Sequence, residues 1–230
     1  TLTDVSNAIA AYNATGPGRP LSTQNTANFF KDIVRKTRSA NSIWPDFVFR
    51  AGFTGEQSTG ANACFRFVPI APGQSVAFPP FVEPSAATPK YSIESVSLPL
   101  ASRRLGRKDE PWLIQVVTRL RIIETHFSLV SKRDVRQIDL LQMNVKLSGT
   151  EIDALYLAHE VIAGGAFKEV IITCEAKGRD DDILENQILR QARAPFSMKK
   201  VTQDHVIPLA VKATSPSEVY VVEFRGLDRS

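Results

Sequence analysis

The β-branched run at residues 170–177 constrains the fold most, because it ends in charged side chains. Valine, isoleucine and threonine at its start favour a β-strand. Successive side chains of a strand point to opposite faces, so Glu175 and Lys177 share one face while Cys174 and Ala176 take the other. The sequence therefore predicts a strand that carries an acid and a base side by side at its end.

A second acidic segment, Glu151-Ile152-Asp153, opens another apolar run upstream. If the two strands are neighbours, Asp153 and Glu175 can converge on a hard divalent cation such as Mg²⁺, which takes oxygen ligands and usually keeps several waters. Lys177 then lies where an amine with a shifted pKa can assist proton transfer or hold the nucleophile. This chemistry is the hydrolysis of a phosphodiester. Glu151 shares the strand face of Asp153 and is a possible additional ligand.

These residues resemble the PD-(D/E)xK motif of a nuclease superfamily to which many type II restriction endonucleases belong. Asp153 corresponds to the motif's aspartate, Glu175 to its second acid and Lys177 to its lysine, and the match covers about residues 112–207. Ile152 replaces the motif's proline, a departure that keeps the strand and the carboxylate. The resemblance implies Mg²⁺ as cofactor, held by Asp153 and Glu175, with Mn²⁺ able to substitute. A solvated strand end is the alternative explanation of a Glu-x-Lys sequence.

A helix is predicted upstream, where Asp109 is a cap and Pro111 lies in the first turn. Apolar residues continue with a helical period to Phe127, although their β-branched content leaves a strand possible for the second half. The resemblance implies that a glutamate on such a helix can approach the metal, and Glu124 is the candidate. The alternative is a surface or salt-bridged glutamate.

A second helix is predicted after Lys177, with Asp180 or Asp181 as its cap and Pro195 as its end. Gln187 and Gln191 are four residues apart and so share a helix face. The resemblance implies that Gln187 can orient a water or a phosphate near the site. The alternative is the polar edge of an amphipathic helix.

The elements from residue 109 onward are expected in the order helix, strand, strand, helix, strand, strand, with the last two strands at residues 204–211 and 219–224. This order predicts an α/β fold with a central mixed β-sheet flanked by helices. The resemblance identifies residues 106–230 as a restriction-endonuclease-like nuclease core. Residues 1–105 are expected to form a loop-rich N-terminal region that packs on it and recognises DNA.

The N-terminal region mixes short elements with loops. Residues 8–12 predict a short helix and residues 28–38 a basic one, while residues 65–68 and 91–98 are strand candidates. The segment at residues 52–60 and the proline-rich stretch that follows predict loops.

Composition excludes several classes of protein. The chain has 230 residues, of which 43% are hydrophobic, enough for a substantial core. No apolar run reaches a membrane-spanning length, and no signal peptide is recognisable at Thr1, so a cytoplasmic protein without a membrane partner is expected. Two cysteines and three scattered histidines give neither a disulfide framework nor zinc-site spacing.

Charge points to a nucleic-acid partner. The formal net charge is +4, and all of the excess precedes Pro111, where 12 lysines and arginines face 8 acids. Lysine and arginine neutralise phosphates, and arginine can also read guanine edges. A solvated face is the alternative for any such cluster. The candidate DNA-binding residues form two clusters, Lys31, Arg35, Lys36 and Arg38, then Arg103, Arg104, Arg107 and Lys108.

The sequence is therefore interpreted as a Mg²⁺-dependent type II restriction endonuclease that cuts double-stranded DNA at a short sequence. A catalytic core with about a hundred additional loop-rich residues suits site recognition. The resemblance also implies a homodimer and a companion DNA methyltransferase. The alternatives are a structure-specific or repair nuclease, such as a junction resolvase, and a non-catalytic DNA-binding protein on a decayed nuclease fold.

Overall fold

The computed structural model describes residues 1–23, 26, 29–34, 43–58, 62–78, 82–95, 98, 109–147 and 150–229, and only the backbone of residues 31 and 32. The chain divides into two compact units, Thr1–Pro80 and Phe81–Ser230. The boundary expected between residues 105 and 106 separates the loop-rich region from the nuclease-like core, and it stays a prediction.

The described residues of the first unit form three helices and a hairpin. The helices are α1 (Leu2–Ala14), α2 (Phe29–Val34) and α3 (Asp46–Arg50), and the antiparallel strands are β1 (Phe53–Gln57) and β2 (Phe65–Pro69). Aromatic rings pack together in this unit, with centroids 5.0 to 6.3 Å apart, and the cluster consists of Phe30, Trp44, Phe65, Phe67 and Phe78.

Two local predictions for the N-terminal half are wrong. The segment at residues 52–60 was predicted as a loop, but it contains β1, where Gly55 leaves room for aromatic rings. A Cβ on Gly55 would lie 2.6 Å from Phe30 Cε2 and 2.9 Å from Trp44 Cη2, so glycine permits close packing here instead of marking a turn. The strand candidate at 91–98 is irregular over residues 91–95.

The second unit is mixed α/β. Its helices are α4 (Glu110–Arg119), α5 (Ile122–Leu129) and α6 (Glu185–Arg193), followed by a 3₁₀ turn at Ala194–Ser197. Its strands are β3 (Val135–Leu147), β4 (Thr150–Val161), β5 (Phe167–Lys177), β6 (His205–Ser215), β7 (Glu218–Glu223) and β8 (Leu227–Asp228). No described helix has the length and hydropathy needed to span a lipid bilayer.

These strands form one open mixed sheet in the order β3-β4-β5-β6-β7, with β8 paired to β6. β5 and β6 run parallel, while the other pairs are antiparallel. The parallel pair needs a crossover, and the segment that contains α6 supplies it. The prediction of a central mixed sheet flanked by helices is therefore confirmed.

The two faces of the sheet are covered by different helices. On one face, side chains of α4 and α5 such as Ile114 and Ile123 pack on Cys174, Ala176 and Leu209. On the other face, α6 contributes Ile188 and Ala192, which belong to clusters with Ala210 and Ile171 respectively. The alternation of side chains along β5 thus buries both of its faces.

Three details differ from the sequence prediction. β3 is an additional edge strand. The helix expected to run to Phe127 is two helices, because Arg121 adopts a left-handed conformation, with φ of 52°, between α4 and α5. α6 begins later than expected, at Glu185, and its N-cap is Leu184 instead of Asp180 or Asp181.

Candidate active site

Two neighbouring strands bring Asp153 and Glu175 together. β4 pairs with β5 up to Ala154 opposite Cys174, and Asp153 and Glu175 are the next residues along the two strands at that end. The Asp153 carboxylate accepts a hydrogen bond of 2.7 Å from the backbone N–H of Ala176. Glu175 is buried. The two acids therefore lie close together at the same end of the sheet, near enough for the charge of Glu175 to act on Asp153.

Lys177 completes the arrangement at the end of β5. Its Nζ donates a hydrogen bond to Glu175 Oε1, and the same Nζ lies 4.0 Å from Glu110 Oε1 in the first turn of α4. The Lys177 side chain is 10% exposed. A lysine at this depth needs anionic partners, because burial of an isolated ammonium is costly.

Two glutamines of α6 hold the Glu175 carboxylate. Gln187 Nε2 donates to Oε1, and Gln191 Nε2 donates both to Oε2 and, at 2.7 Å, to the backbone oxygen of Glu151. Gln191 is only 1% exposed. We call Gln187 and Gln191 the amide clamp, because together they fix both oxygens of Glu175.

The pKa of Asp153 is raised to about 8. Burial is the largest cause, the negative charge of Glu175 adds to it, and Glu110 contributes in the same direction. The hydrogen bond from Ala176 and the charge of Lys177 lower the pKa but do not offset the rise. At neutral pH the carboxyl group therefore holds a proton that a cation bound beside it would displace.

The pKa of Lys177 is raised above its ordinary value. Burial lowers it, but attraction to Glu175, the hydrogen bond to the same carboxylate, and the charges of Glu110 and Asp153 outweigh burial. Lys177 is consequently a protonated ammonium at neutral pH. The sequence predicted that Lys177 either assists proton transfer or holds the nucleophile. A protonated ammonium can hold an anionic nucleophile, but it cannot accept a proton.

The donor set fits a hard divalent cation. No three His, Cys, Asp or Glu side chains form a ready-made metal site in the described part of the chain. Mg²⁺ does not require three, because it is commonly held by one or two carboxylates and retains several waters. Asp153 and Glu175 supply two oxygen-bearing groups, and burial first, with the charge of Glu175 second, raises the pKa of the Asp153 carboxyl group that a cation would deprotonate.

A helix glutamate near this cluster that the sequence did not single out is Glu110, and the role of Glu124 stays a prediction. Glu124 lies on α5, where burial raises its pKa and its charged neighbours are Arg121 and Asp139. Glu110 reaches Lys177 and also acts on the pKa of Asp153. Sequence reasoning found a helix start at this point, but the approach of that helix to the end of β5 depends on tertiary packing.

Glu151 contributes through its backbone. Its side chain is exposed and lies 3.9 Å from Lys146 of β3, while its carbonyl oxygen accepts the hydrogen bond from Gln191. The carboxylate that could have been an additional ligand is thus engaged outside the cluster. Gln187, proposed to orient a water or phosphate, contacts Glu175 directly.

The structure brings together Asp153, Glu175, Lys177 and Gln187, as the sequence indicated, and adds Glu110 and Gln191. The four-residue spacing of Gln187 and Gln191 was the available signal for the second glutamine. Lys31 lies in α2 with its side chain outside the described residues. The other candidate DNA-binding residues also lie outside them and stay predictions: Arg35, Lys36, Arg38, Arg103, Arg104, Arg107 and Lys108.

Comparison with protein-family models, curated proteins and solved structures gives no significant match to this chain.

Proposed function

We propose that this chain is a Mg²⁺-dependent endonuclease of the PD-(D/E)xK type, acting on double-stranded DNA as a type II restriction enzyme. The observation that carries the proposal is the side-by-side placement of Asp153 and Glu175 on β4 and β5, with the Lys177 ammonium hydrogen-bonded to Glu175. Two carboxyl groups and a protonated lysine at the adjoining ends of two neighbouring strands are the groups that metal-assisted phosphodiester hydrolysis uses.

Asp153 and Glu175 are the residues that would hold the cation. When bound, Mg²⁺ polarises the scissile phosphate and lowers the pKa of an attacking water. Lys177 offers a fixed positive charge to the phosphate as negative charge develops on its oxygens. Gln187 and Gln191 hold Glu175 in one orientation, so that less reorganisation is needed when the cation arrives.

Digestion of a defined plasmid with Mg²⁺ tests the proposal. We expect discrete fragments from wild type and none from Glu175→Gln. Glu169→Gln is the matched control, because Glu169 is an exposed acid at the opposite end of β5. A smear would point to a non-specific nuclease, and an intact but retarded plasmid would point to a DNA-binding protein without catalysis. Mn²⁺ is expected to substitute for Mg²⁺, and Ca²⁺ to support binding without efficient cleavage.

Specific recognition and dimerisation complete the proposal, and both rest on the resemblance. A two-fold dimer aligns two catalytic sites with the two antiparallel DNA strands and makes a palindromic sequence its natural target. A companion methyltransferase would protect host DNA. Sedimentation with and without a cleavable oligonucleotide tests the dimer. A strict monomer that nicks one strand per binding event would favour a repair nuclease.

A further inference from the structure

A second buried lysine lies beside Lys177. In the parallel register of β5 and β6, Lys177 pairs with Lys212 and Glu175 pairs with Ala210. Register partners in a sheet point to the same face. Lys212 is only 4% exposed, so the sheet carries two buried ammonium groups on adjacent strands.

The carboxylate close to Lys212 comes from the turn that follows β5. Asp182 Oδ1 lies 3.5 Å from Lys212 Nζ, and the two side chains are 10% and 5% exposed. The next residue, Ile183, is also buried and shares a cluster with Ile188 and Ala210. The turn is therefore attached to β6 by an ion pair and an apolar contact in consecutive positions.

This attachment matters because α6 has little local support at its start. Its N-cap, Leu184, makes no side-chain hydrogen bond to the helix, and the helix has nine residues. Helices of this length are marginal on their own and depend on tertiary packing. The orientation of α6, and with it the amide clamp on Glu175, consequently depends on what holds residues 182 and 183.

We propose that Lys212 is a positioning residue that acts through Asp182. The ion pair fixes the start of α6, so that Gln187 and Gln191 reach both oxygens of Glu175. The effect of this ion pair on catalysis rests on the proposed nuclease function. Its effect on the position of Gln187 and Gln191 does not.

A buried ion pair is a poor device for stability alone. Apolar residues of similar volume often replace such a pair without loss, since desolvation of two charges offsets much of their attraction. Breaking a buried ion pair is nevertheless costly, because it leaves charges uncompensated away from water, so the pair disfavours any displaced position of the turn. That property suits a helix whose glutamines must meet one carboxylate.

The test compares Lys212→Met with the double variant Lys212→Met/Asp182→Asn in the full chain. The double variant removes both charges, so it keeps the experiment decisive if the single variant folds poorly. Lys146→Met is the matched control, because Lys146 also lies on this sheet and pairs with a carboxylate, that of Glu151, but is largely exposed. Melting temperature, side-chain amide NMR signals of Gln187 and Gln191, and cleavage kinetics are measured for each.

In both test variants we expect the side-chain amide signals of Gln187 and Gln191 to move toward those of free glutamine. We expect the melting temperature of the double variant to stay near that of wild type. We expect kcat to fall roughly tenfold, KM for DNA to change less than about twofold, and the Mg²⁺ requirement to rise. Unchanged amide signals in the folded double variant would overturn the proposal, and so would displaced signals with unchanged kcat and Mg²⁺ dependence. If wild type cuts no DNA, the nuclease proposal fails, while the amide signals still decide whether Lys212 positions the clamp.

Discussion

Asp153 and Glu175 lie close together at the adjoining ends of β4 and β5, and their proximity adds to the effect of burial in raising the pKa of Asp153 to about 8. The ordinary value is 3.8, so between these two pH values the folded chain retains a proton that the unfolded chain has released. The contribution of Asp153 to stability is therefore present at low pH and declines as pH rises from about 4 to about 8.

Asp153→Asn should remove this decline while keeping an oxygen for the N–H of Ala176. With EDTA present, we expect its free energy of unfolding to exceed that of wild type at pH 8.5 by on the order of a few kcal/mol, and to match wild type more closely at pH 4.5. Urea denaturation at both pH values measures the difference. Asp139→Asn, on the exposed side of β3, serves as control. An equal gain from both variants would contradict the explanation.

Glu110→Gln should weaken metal-dependent cleavage more than Glu124→Gln does. Glu110 lies 4.0 Å from Lys177 and acts on Asp153, whereas the charged neighbours of Glu124 are Arg121 and Asp139. Loss of a group that supports metal ligands typically reduces affinity or activity about 10- to 100-fold. Titration of the cleavage rate with Mg²⁺ compares the two variants. A larger effect of Glu124→Gln would restore the assignment made from sequence.

Gln191→Met should reduce both stability and activity. The substitution leaves an oxygen of Glu175 and the backbone oxygen of Glu151 without their amide donor, and an unsatisfied buried group costs about 1–3 kcal/mol. Urea denaturation and cleavage rates are the measurements. Gln203→Met is the control, since Gln203 donates to Glu169 on the exposed surface. Comparable losses in the two variants would show that burial of the clamp is not the cause.

Gly55→Ala should destabilise the first unit. Its Cβ would lie 2.6 Å from Phe30 Cε2 and 2.9 Å from Trp44 Cη2, so the ring cluster must shift, and overpacking of this kind typically costs about 1–3 kcal/mol. Gly18→Ala is the control, because nothing lies within 4 Å of a Cβ there. Thermal unfolding followed by tryptophan fluorescence distinguishes the two. If Gly55→Ala were as stable as wild type, the aromatic rings would be able to move aside at no cost, which would contradict the prediction.

The parts of the fold that sequence predicted are those with local signals. The alternation along β5 placed Glu175 and Lys177 on one face, and Asp109 capped α4 as expected, with its carboxylate accepting from the N–H of Trp112. The sequence did not predict β3, because its apolar residues do not alternate regularly. Register shifts interrupt its pairing with β4, and Asn144 adopts a positive φ.

The parts that sequence could not give depend on residues far apart in the chain. An arginine seldom adopts the left-handed conformation, so nothing at Arg121 marked the break between α4 and α5. The approach of Glu110 to Lys177, and of Gln191 to Glu175, follows from how the helices pack on the sheet. The four-residue spacing of Gln187 and Gln191 predicted that they share a face of α6, but only the tertiary fold shows that this face contacts Glu175.

The parallel pairing of β5 and β6 has a consequence for the order in which the site assembles during folding. β4 and β5 are joined by the short connection at residues 162–166, whereas residues 178–204 separate β5 from β6. Closing the longer loop costs more conformational entropy, so we expect the β4–β5 hairpin to form first, which pulsed hydrogen exchange can detect. Asp153 and Glu175 would then be close together before Gln187 and Gln191 can bind Glu175. Until the segment that contains α6 packs on the sheet, the electrostatic repulsion between the two acids would destabilise the β4–β5 hairpin.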